Sequence, residues 1–530
     1  MTASSPDRAA PSTARRITLA VLAMWLSRVA AIALGLLLMP LLFARLPAAE
    51  LGVWLLLSQS GVLILLLDFG LTSTLIRRFA FWQGDLMVGG GESDDAARSF
   101  SRLAATGRRL YLMIALAVGG ISWLGGLAFI ATLDIDRALM QEALLAWSII
   151  CFGQAIALSN GLWTAAISGL GHVAPVSLLA IAFNAATILA QCAIVIAGGG
   201  LTALAVAGAL GSLGFRIGAV AYLRRKEPSL AKINGGWDKA TAVDLMGPSL
   251  KYFLTEVGAL LLMKADPYFI AAFLDPASLP VYAANYLLAF NAAVISIAIG
   301  DAGNVYVSQL WRTGTTDRVR AIVLRSMRVG MGLMALGAAL LLFAGPSITA
   351  VWLGDGRFVG LPVMATFSAM LILYTQQSLL FGFSRATEHE VYAGWYLAAG
   401  ALNIGLSFVL TPTLGLVGVA LSTLLAQAAT TGWRIPLLGL RRLDIELSQY
   451  LSHVAAPIAA LFIAACAAIW LVTYGPAAPD APLAKLIAAT AAGGAVGLAG
   501  FCTLVLDDGM RARLLQKAAQ LGRRSLAPGE

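Results

Sequence analysis

Long apolar stretches separated by short polar connections occupy the chain from Ile17 to Leu506. A helix needs about 20 apolar residues, at 1.5 Å per residue, to cross the ~30 Å hydrocarbon layer of a bilayer. Fourteen stretches meet this requirement, at 17–44, 51–81, 109–132, 138–168, 173–197, 201–223, 244–274, 279–311, 322–351, 361–384, 391–411, 414–438, 450–474 and 483–506. They are too long and too uniformly apolar for barrel strands, so the pattern predicts an all-α, polytopic membrane protein.

The composition supports this fold class and narrows the chemistry. Hydrophobic residues make up 59% of the chain and charged residues 12%, against about 25% charged residues in soluble domains. The four cysteines lie in apolar stretches and are interpreted as buried side chains, not as a disulfide or metal set. No nucleotide-binding loop, metalloprotease motif or nucleophile elbow occurs, so we expect no cofactor, no metal and no catalytic residues.

The basic residues predict how the chain crosses the membrane. With the N-terminus inside, 28 of the 36 lysines and arginines fall on inner loops, tails and the inner ends of spans, 4 on outer loops or outer span ends, and 4 deeper within spans. Cytoplasmic loops of membrane proteins carry this excess. The net charge of +9 is therefore explained without nucleic acid, and both termini are predicted to be cytoplasmic.

This topology can be tested by accessibility labelling of single cysteines in intact cells. We expect cysteines at Gly91 and Glu530 to be protected, and a cysteine at Ala478 to react with a membrane-impermeant reagent. Labelling of position 91 from outside would overturn the whole assignment of sides.

An internal repeat predicts two lobes of six helices. Shifting the chain by 228 residues superposes 44–54 on 272–282, and each copy is a long helix, a short outer turn and a second long helix. An even number of helices gives both copies the same direction, a parallel repeat about the membrane normal. The predicted divisions are a tail at 1–16, lobes at 17–224 and 244–440 joined by a cytoplasmic linker at 225–243, two extra helices in 441–507 and a basic tail at 508–530.

Several short segments occur in a characteristic order along the chain. They are Leu51-Gly52-Val53-Trp54, Asp68-Phe69-Gly70-Leu71, Arg77-Arg78-Phe79-Ala80, Asp266-Pro267-Tyr268-Phe269-Ile270, and Asn403 with the run 411–420. In this order they resemble segments of bacterial polysaccharide and O-antigen flippases. Those flippases share a superfamily with lipid II flippases and multidrug and toxin extrusion transporters. The resemblance covers about 1–440 and rests on the order and spacing of the segments.

The resemblance implies a function in cell-surface polysaccharide and lipopolysaccharide synthesis. Such a protein moves an undecaprenyl-diphosphate-linked oligosaccharide from the inner to the outer leaflet of the bacterial inner membrane, by alternating access. Its implied partners are that lipid, the bilayer, and a polysaccharide polymerase or glycosyltransferases. The alternatives are a cation-coupled multidrug exporter of the same fold and a membrane-embedded polysaccharide polymerase. A polymerase is disfavoured because no large outer loop is present.

Four basic residues within spans are candidates for binding the cargo diphosphate, because intramembrane charges are costly and mark function by default. Arg28 would lie about 16 Å into the first helix at 1.5 Å per residue, where a guanidinium can hold phosphate in a bidentate way. Lys264, Arg216 and Lys251 are the other candidates. The competing interpretations are a structural ion pair for Arg28 and snorkelling to the interface for Lys264 and Arg216.

Four acidic residues are candidates for ion coupling. Glu256 occupies the repeat position of Arg28, so the two charges could pair with each other. Asp266 precedes a proline, which predicts a helix break. Asp68 and Asp301 lie in the inner halves of their helices beside glycines, and for Asp68 a structural helix–helix hydrogen bond is the favoured alternative.

Overall fold

The computed structural model describes residues 32–89, 94–228, 235–300, 307, 310–311, 316–386 and 392–505. Within these residues every regular element is helical, and ten helices are long and apolar enough to cross a membrane. Three shorter apolar helices add to them, and the stretch Ala393–Arg442 is bent at Gly415 into two arms. The described residues thus accommodate fourteen spans, and the predicted all-α polytopic fold is confirmed.

The helices form two compact units, of which the first contains Met1–Val257 and Asp275–Pro280. Its helices are α1 Ile32–Arg45, α2 Ala48–Leu66, α3 Leu71–Gly89, α4 Asp94–Ile130, α5 Arg137–Ser159, α6 Gly161–Gly169, α7 Val173–Ile196, α8 Leu201–Lys226 and the first part of α9, Lys239–Met263. Aromatic and aliphatic side chains such as Phe79, Phe100 and Tyr111 are fully buried in it. Burial of such side chains stabilises helix packing even in lipid, where dispersion contacts replace the hydrophobic effect.

Helix α2 ends where the sequence pattern predicted one continuous span at 51–81. Phe69 and Gly70 both have positive φ, 56° and 67°, and glycine adopts that conformation without steric cost. The carboxylate of Asp68 accepts hydrogen bonds from the backbone N–H groups of Gly70 (2.8 Å) and Thr72 (3.3 Å). Asp68 therefore caps the start of α3, and its predicted helix–helix hydrogen bond is replaced by this local one.

The predicted inner loops meet at one end of the first unit. Arg78 at the inner part of α3 forms an ion pair with Asp244 on α9. The backbone N–H of Gly235 donates to the hydroxyl of Ser101 on α4, at 2.8 Å. These contacts join segments that the basic residues predict to lie on one side of the membrane, and the side itself stays a prediction.

The second unit contains Gly258–Leu274 and Val281–Glu530. Its helices are the remainder of α9, α10 Asp266–Phe273, α11 Leu279–Gly300, α12 Thr316–Leu353, α13 Leu361–Ala386, α14 Ala393–Ala429, α15 Thr431–Arg442, α16 Leu447–Tyr474 and α17 Pro482–Gly500. The division between the units falls inside α9, after Val257, whereas the sequence placed the lobe boundary at the linker 225–243. The domain limits drawn from the repeat stay a prediction.

Two breaks shape the second unit. Helix α9 ends at Met263 and α10 begins at Asp266, which confirms the break predicted from Asp266-Pro267. The predicted boundary between helices at 411–414 coincides with a kink at Gly415, whose φ of 58° and ψ of −138° are not helical, so α14 consists of two helical arms. A residue with a side chain adopts that conformation only rarely.

Helices α9 and α14 cross at two glycines. A Cβ atom on Gly258 would lie 2.4 Å from the carbonyl carbon of Tyr396, and one on Gly400 would lie 2.9 Å from the carbonyl oxygen of Gly258. Small residues at such a crossing let two backbones approach closely. This close approach brings the end of α9 within hydrogen-bonding distance of α14.

Candidate functional site

A buried carboxylate lies at the break between α9 and α10. Asp266 is only 5% exposed. Its carboxylate accepts hydrogen bonds from the hydroxyl groups of Tyr282 on α11 (2.5 Å) and Thr423 on α14 (3.1 Å). A buried carboxylate is costly unless hydrogen bonds or a cation compensate its charge. Asp266 is therefore held by neutral donors from two further helices.

Asn403 lies beside this carboxylate, and its amide orientation is fixed. Its amide nitrogen donates to the carbonyl oxygens of Leu261 and Leu262, both at 3.0 Å. The amide oxygen must then face the other way, where it lies 3.2 Å from the hydroxyl of Thr423. Because that hydroxyl has one hydrogen, it cannot fully satisfy both Asn403 and Asp266. The two acceptor oxygen atoms therefore share the hydrogen of Thr423.

Two serines extend this group of oxygen atoms along α14. The hydroxyl of Ser407 lies 3.5 Å from the amide oxygen of Asn403 and 2.7 Å from the hydroxyl of Ser422. We refer to Asp266, Asn403, Thr423, Ser407 and Ser422 as the oxygen cluster. Its members are all buried, and the sites of hard cations in proteins are built from such oxygen atoms.

Lys264 lies two residues before Asp266, in the break itself. Its ammonium nitrogen is 4.7 Å from the ring centre of Phe290 and 5.6 Å from that of Tyr286. These are cation–π distances, so the side chain is directed against α11. Whether Lys264 also reaches the membrane interface, the alternative expected from the sequence, stays a prediction.

The other basic candidates have different surroundings. Arg216 on α8 donates a hydrogen bond to the hydroxyl of Ser159 and is half-buried. Lys251 belongs to α9, and its side chain lies outside the described part of the structure. Arg28 lies outside the described residues. The structure therefore tests neither the diphosphate-binding role nor the convergence of these four residues.

Among the acidic candidates, Glu256 and Asp68 are described besides Asp266. Glu256 on α9 is half-buried and forms no ion pair with any described residue. Its predicted partner Arg28 and the predicted coupling residue Asp301 lie outside the described residues, so their pairing and roles stay predictions. Asp68 lines a cavity in the first unit and caps α3 at the same time.

That cavity has a volume of about 590 Å³ and lies wholly within the first unit. Among the described residues that line it, Asp68 is the one ionisable side chain. Its polar lining otherwise consists of amides and hydroxyls, from Thr72, Gln154, Asn160, Thr164, Asn184, Thr187, Gln191 and Ser212. A polar cavity of this size between apolar helices is suited to bind a ligand.

Most of these polar residues carry no charge, so charge within the spans gives no signal for them. Asn403 and Tyr282 lie in segments of the resemblance or the repeat, but the sequence predicted no site role for them, for Thr423 or for the cavity amides. Uncharged amides inside apolar spans are also unusual, because a buried amide must find partners. A search for mid-span Asn and Gln would have found Gln154, Asn160 and Asn403.

The fold is shared with membrane transporters of known structure. The lipid II flippase MurJ in an inward-closed conformation superposes with a TM-score of 0.65 and 14% sequence identity, covering 91% of this chain and 98% of the flippase. An inward-facing multidrug resistance transporter of the MATE family, in the MOP superfamily, superposes with a TM-score of 0.63 and 13% sequence identity. The match covers 78% of this chain and 94% of the transporter. A MOP superfamily transporter from Pyrococcus furiosus superposes with a TM-score of 0.56 and 12% sequence identity. The match covers 80% of this chain and 95% of that transporter.

Comparisons of sequence gave no assignment. No family model matches the chain, and no curated protein matches it. At identities of 12–14% the structural likeness establishes the fold alone. The chain therefore has the fold of flippases and multidrug exporters of this superfamily.

Proposed function

We propose that this protein is an ion-coupled transporter that moves an undecaprenyl-diphosphate-linked oligosaccharide across the bacterial inner membrane, from the inner to the outer leaflet. The observation that carries the proposal is the oxygen cluster around Asp266. A buried carboxylate, a fixed amide oxygen and a shared hydroxyl group meet at a helix break inside a membrane-spanning unit. Such a site can bind and release a cation or a proton as the helix moves.

The extent of the structural match favours a lipid flippase over a drug exporter as the closer analogue. The flippase superposes over 91% of this chain, against 78% for the MATE transporter. The helices α16 and α17 follow the two six-helix lobes that the repeat predicts. A chain with fourteen spans is therefore matched over more of its length by the flippase than by the MATE transporter.

The cargo diphosphate requires cationic groups at membrane depth. We propose Arg28, Lys264, Arg216 and Lys251 for this role. Lys264 has the clearest geometry, because its ammonium lies against the aromatic rings of α11 and close enough to Asp266 to interact with its charge. In this proposal, a polymerase or glycosyltransferase supplies or consumes the cargo, and both termini face the cytoplasm.

The proposal is tested in proteoliposomes that carry a lipid-linked oligosaccharide in both leaflets. A glycosidase added outside can cut only the sugars that lie in the outer leaflet. We expect cutting beyond half-completion to require the protein and to respond to a cation or proton gradient. If the protein instead exports lipophilic cations and leaves the sugar lipid in place, it is a multidrug exporter and the proposal is wrong.

Arg28 gives a second test in the same vesicles. We expect Arg28→Ala to abolish transport and Arg28→Lys to restore it only in part, because an ammonium cannot form the bidentate phosphate contact. Arg45→Ala, at the exposed end of α1, is the matched control and should transport normally. Normal transport by Arg28→Ala at equal protein level would exclude the role. Recovery of activity by exchanging Arg28 and Glu256 would show a structural ion pair instead.

A further inference from the structure

The cavity of the first unit contains a buried acceptor that the protein does not satisfy. Asn160 is 3% exposed, and its amide nitrogen donates to the carbonyl oxygen of Ser212 at 3.2 Å. Its amide oxygen has no hydrogen-bond partner among the described residues. Leaving such a group unpaired costs about 1–3 kcal/mol. A ligand that brings an O–H or N–H donor into the cavity would remove this cost.

Two further amides face the same cavity. The side chains of Gln154 on α5 and Asn184 on α7 line it, and neither makes a hydrogen bond to a described residue. A carboxamide offers both a carbonyl acceptor and two N–H donors. Together with Asn160 they supply the cavity with both donors and acceptors.

The charge of the cavity disfavours two classes of cargo group. The described lining contains no lysine or arginine, so it offers no cation to a diphosphate. Its single carboxylate, Asp68, already accepts the N–H groups of Gly70 and Thr72 at the start of α3. The positive end of that helix offsets its charge, which weakens the attraction for a lipophilic cation.

An aromatic pair supplies the apolar part of the lining. The rings of Phe183 and Phe215 lie 6.4 Å apart, at 89° to each other, and both line the cavity. Amides and hydroxyls beside aromatic faces suit a ligand with hydroxyl groups on its edge and C–H groups on its faces. The volume of about 590 Å³ falls within the ~300–1,000 Å³ range of small-ligand pockets.

We propose that this cavity binds the uncharged sugar residues of the cargo, and that the diphosphate is held elsewhere in the protein. This inference rests on the proposed function, and it assigns the sugar and not the phosphate to the first unit. Gln154, Asn160 and Asn184 then recognise the hydroxyl pattern of the sugar. They are uncharged, so charged residues within the spans give no indication of this site.

The inference is tested by binding to the purified full chain in lipid nanodiscs. The probes are an array of bacterial surface oligosaccharides, inorganic pyrophosphate and tetraphenylphosphonium, a lipophilic cation. We expect at least one uncharged oligosaccharide to bind. Gln154→Leu should weaken it about tenfold, the equivalent of one lost hydrogen bond of ~1.4 kcal/mol. Ala180→Phe, which fills the cavity wall, should abolish binding.

Two variants control for folding and surface effects. The first is Gln141→Leu, because Gln141 is exposed on the same helix as Gln154. The second is Ala182→Phe, because Ala182 is exposed on the same helix as Ala180. Both should bind as wild type. Absence of oligosaccharide binding, or equal loss in the controls, would overturn the inference, as would tetraphenylphosphonium binding that Ala180→Phe removes. Because binding is measured without transport, failure here is distinct from failure of the flippase assay.

Discussion

Asp266→Asn is expected to uncouple transport from its driving ion. The amide keeps the shape of the carboxylate, and its oxygen can still accept the hydroxyl hydrogen of Tyr282 or Thr423, so the fold should persist. The substitution removes the negative charge that would attract a cation, and it also removes the group that would take up a proton. A coupling free energy of about 1–3 kcal/mol corresponds to roughly 5- to 150-fold. We therefore expect ion-stimulated transport to fall by a factor in that range.

The measurement is the initial rate of sugar-lipid transport in proteoliposomes, with and without an imposed sodium or proton gradient. Asp355→Asn, an exposed carboxylate after α12, is the matched control and should respond to the gradient as wild type does. The oxygen cluster would lose its proposed role if Asp266→Asn kept the full gradient response. Loss of the basal rate together with the folded protein would instead point to a structural role.

Gly258→Ala and Gly400→Ala are expected to destabilise the second unit. Alanine normally favours a helix over glycine by about 1 kcal/mol. At these positions the new methyl would press against the backbone, 2.4 Å from the carbonyl carbon of Tyr396 or 2.9 Å from the carbonyl oxygen of Gly258. Overpacking of this kind costs about 1–3 kcal/mol. The helices must separate, and separation pulls Asn403 away from its carbonyl partners.

The control for this prediction lies on the same helix as Gly400. A methyl group added to Gly405 on α14 would have no heavy atom within 4 Å outside its own helix turn, so Gly405→Ala should leave the thermal unfolding midpoint in detergent unchanged or raise it. The expected result is a lower midpoint for Gly258→Ala and a midpoint at or above that of the wild type for Gly405→Ala. Equal midpoints would mean that the close crossing of α9 and α14 does not limit stability.

The sequence predicted the spans well because the requirement for a spanning helix is a simple one. Length and apolar character determine it, and the bounds of helices such as α7 (predicted 173–197) and α8 (predicted 201–223) agree with the structure to within a few residues. The break at Asp266-Pro267 was also predictable, because proline lacks the N–H that continues a helix.

The break at Asp68 was not predictable in the same way. Glycine is common within membrane helices, and the run around Asp68 stays apolar. A left-handed residue that interrupts a helix differs from a helical one only in its backbone angles. Hydropathy carries no information about those angles. The oxygen cluster was hidden for a related reason, since Asn403 and Thr423 are twenty residues apart and meet only because α14 bends.

The division of the chain within α9 has a consequence for biosynthesis. The first unit includes residues up to Val257 and then Asp275–Pro280, so it is not complete when the ribosome has finished the linker at 225–243. Its last pieces are synthesised only after part of the second unit has emerged. A gene split at the linker should therefore give two halves that assemble poorly when produced separately. A split after residue 280 should preserve the first unit but deprive the second of Gly258–Leu274, the segment that supplies Asp266.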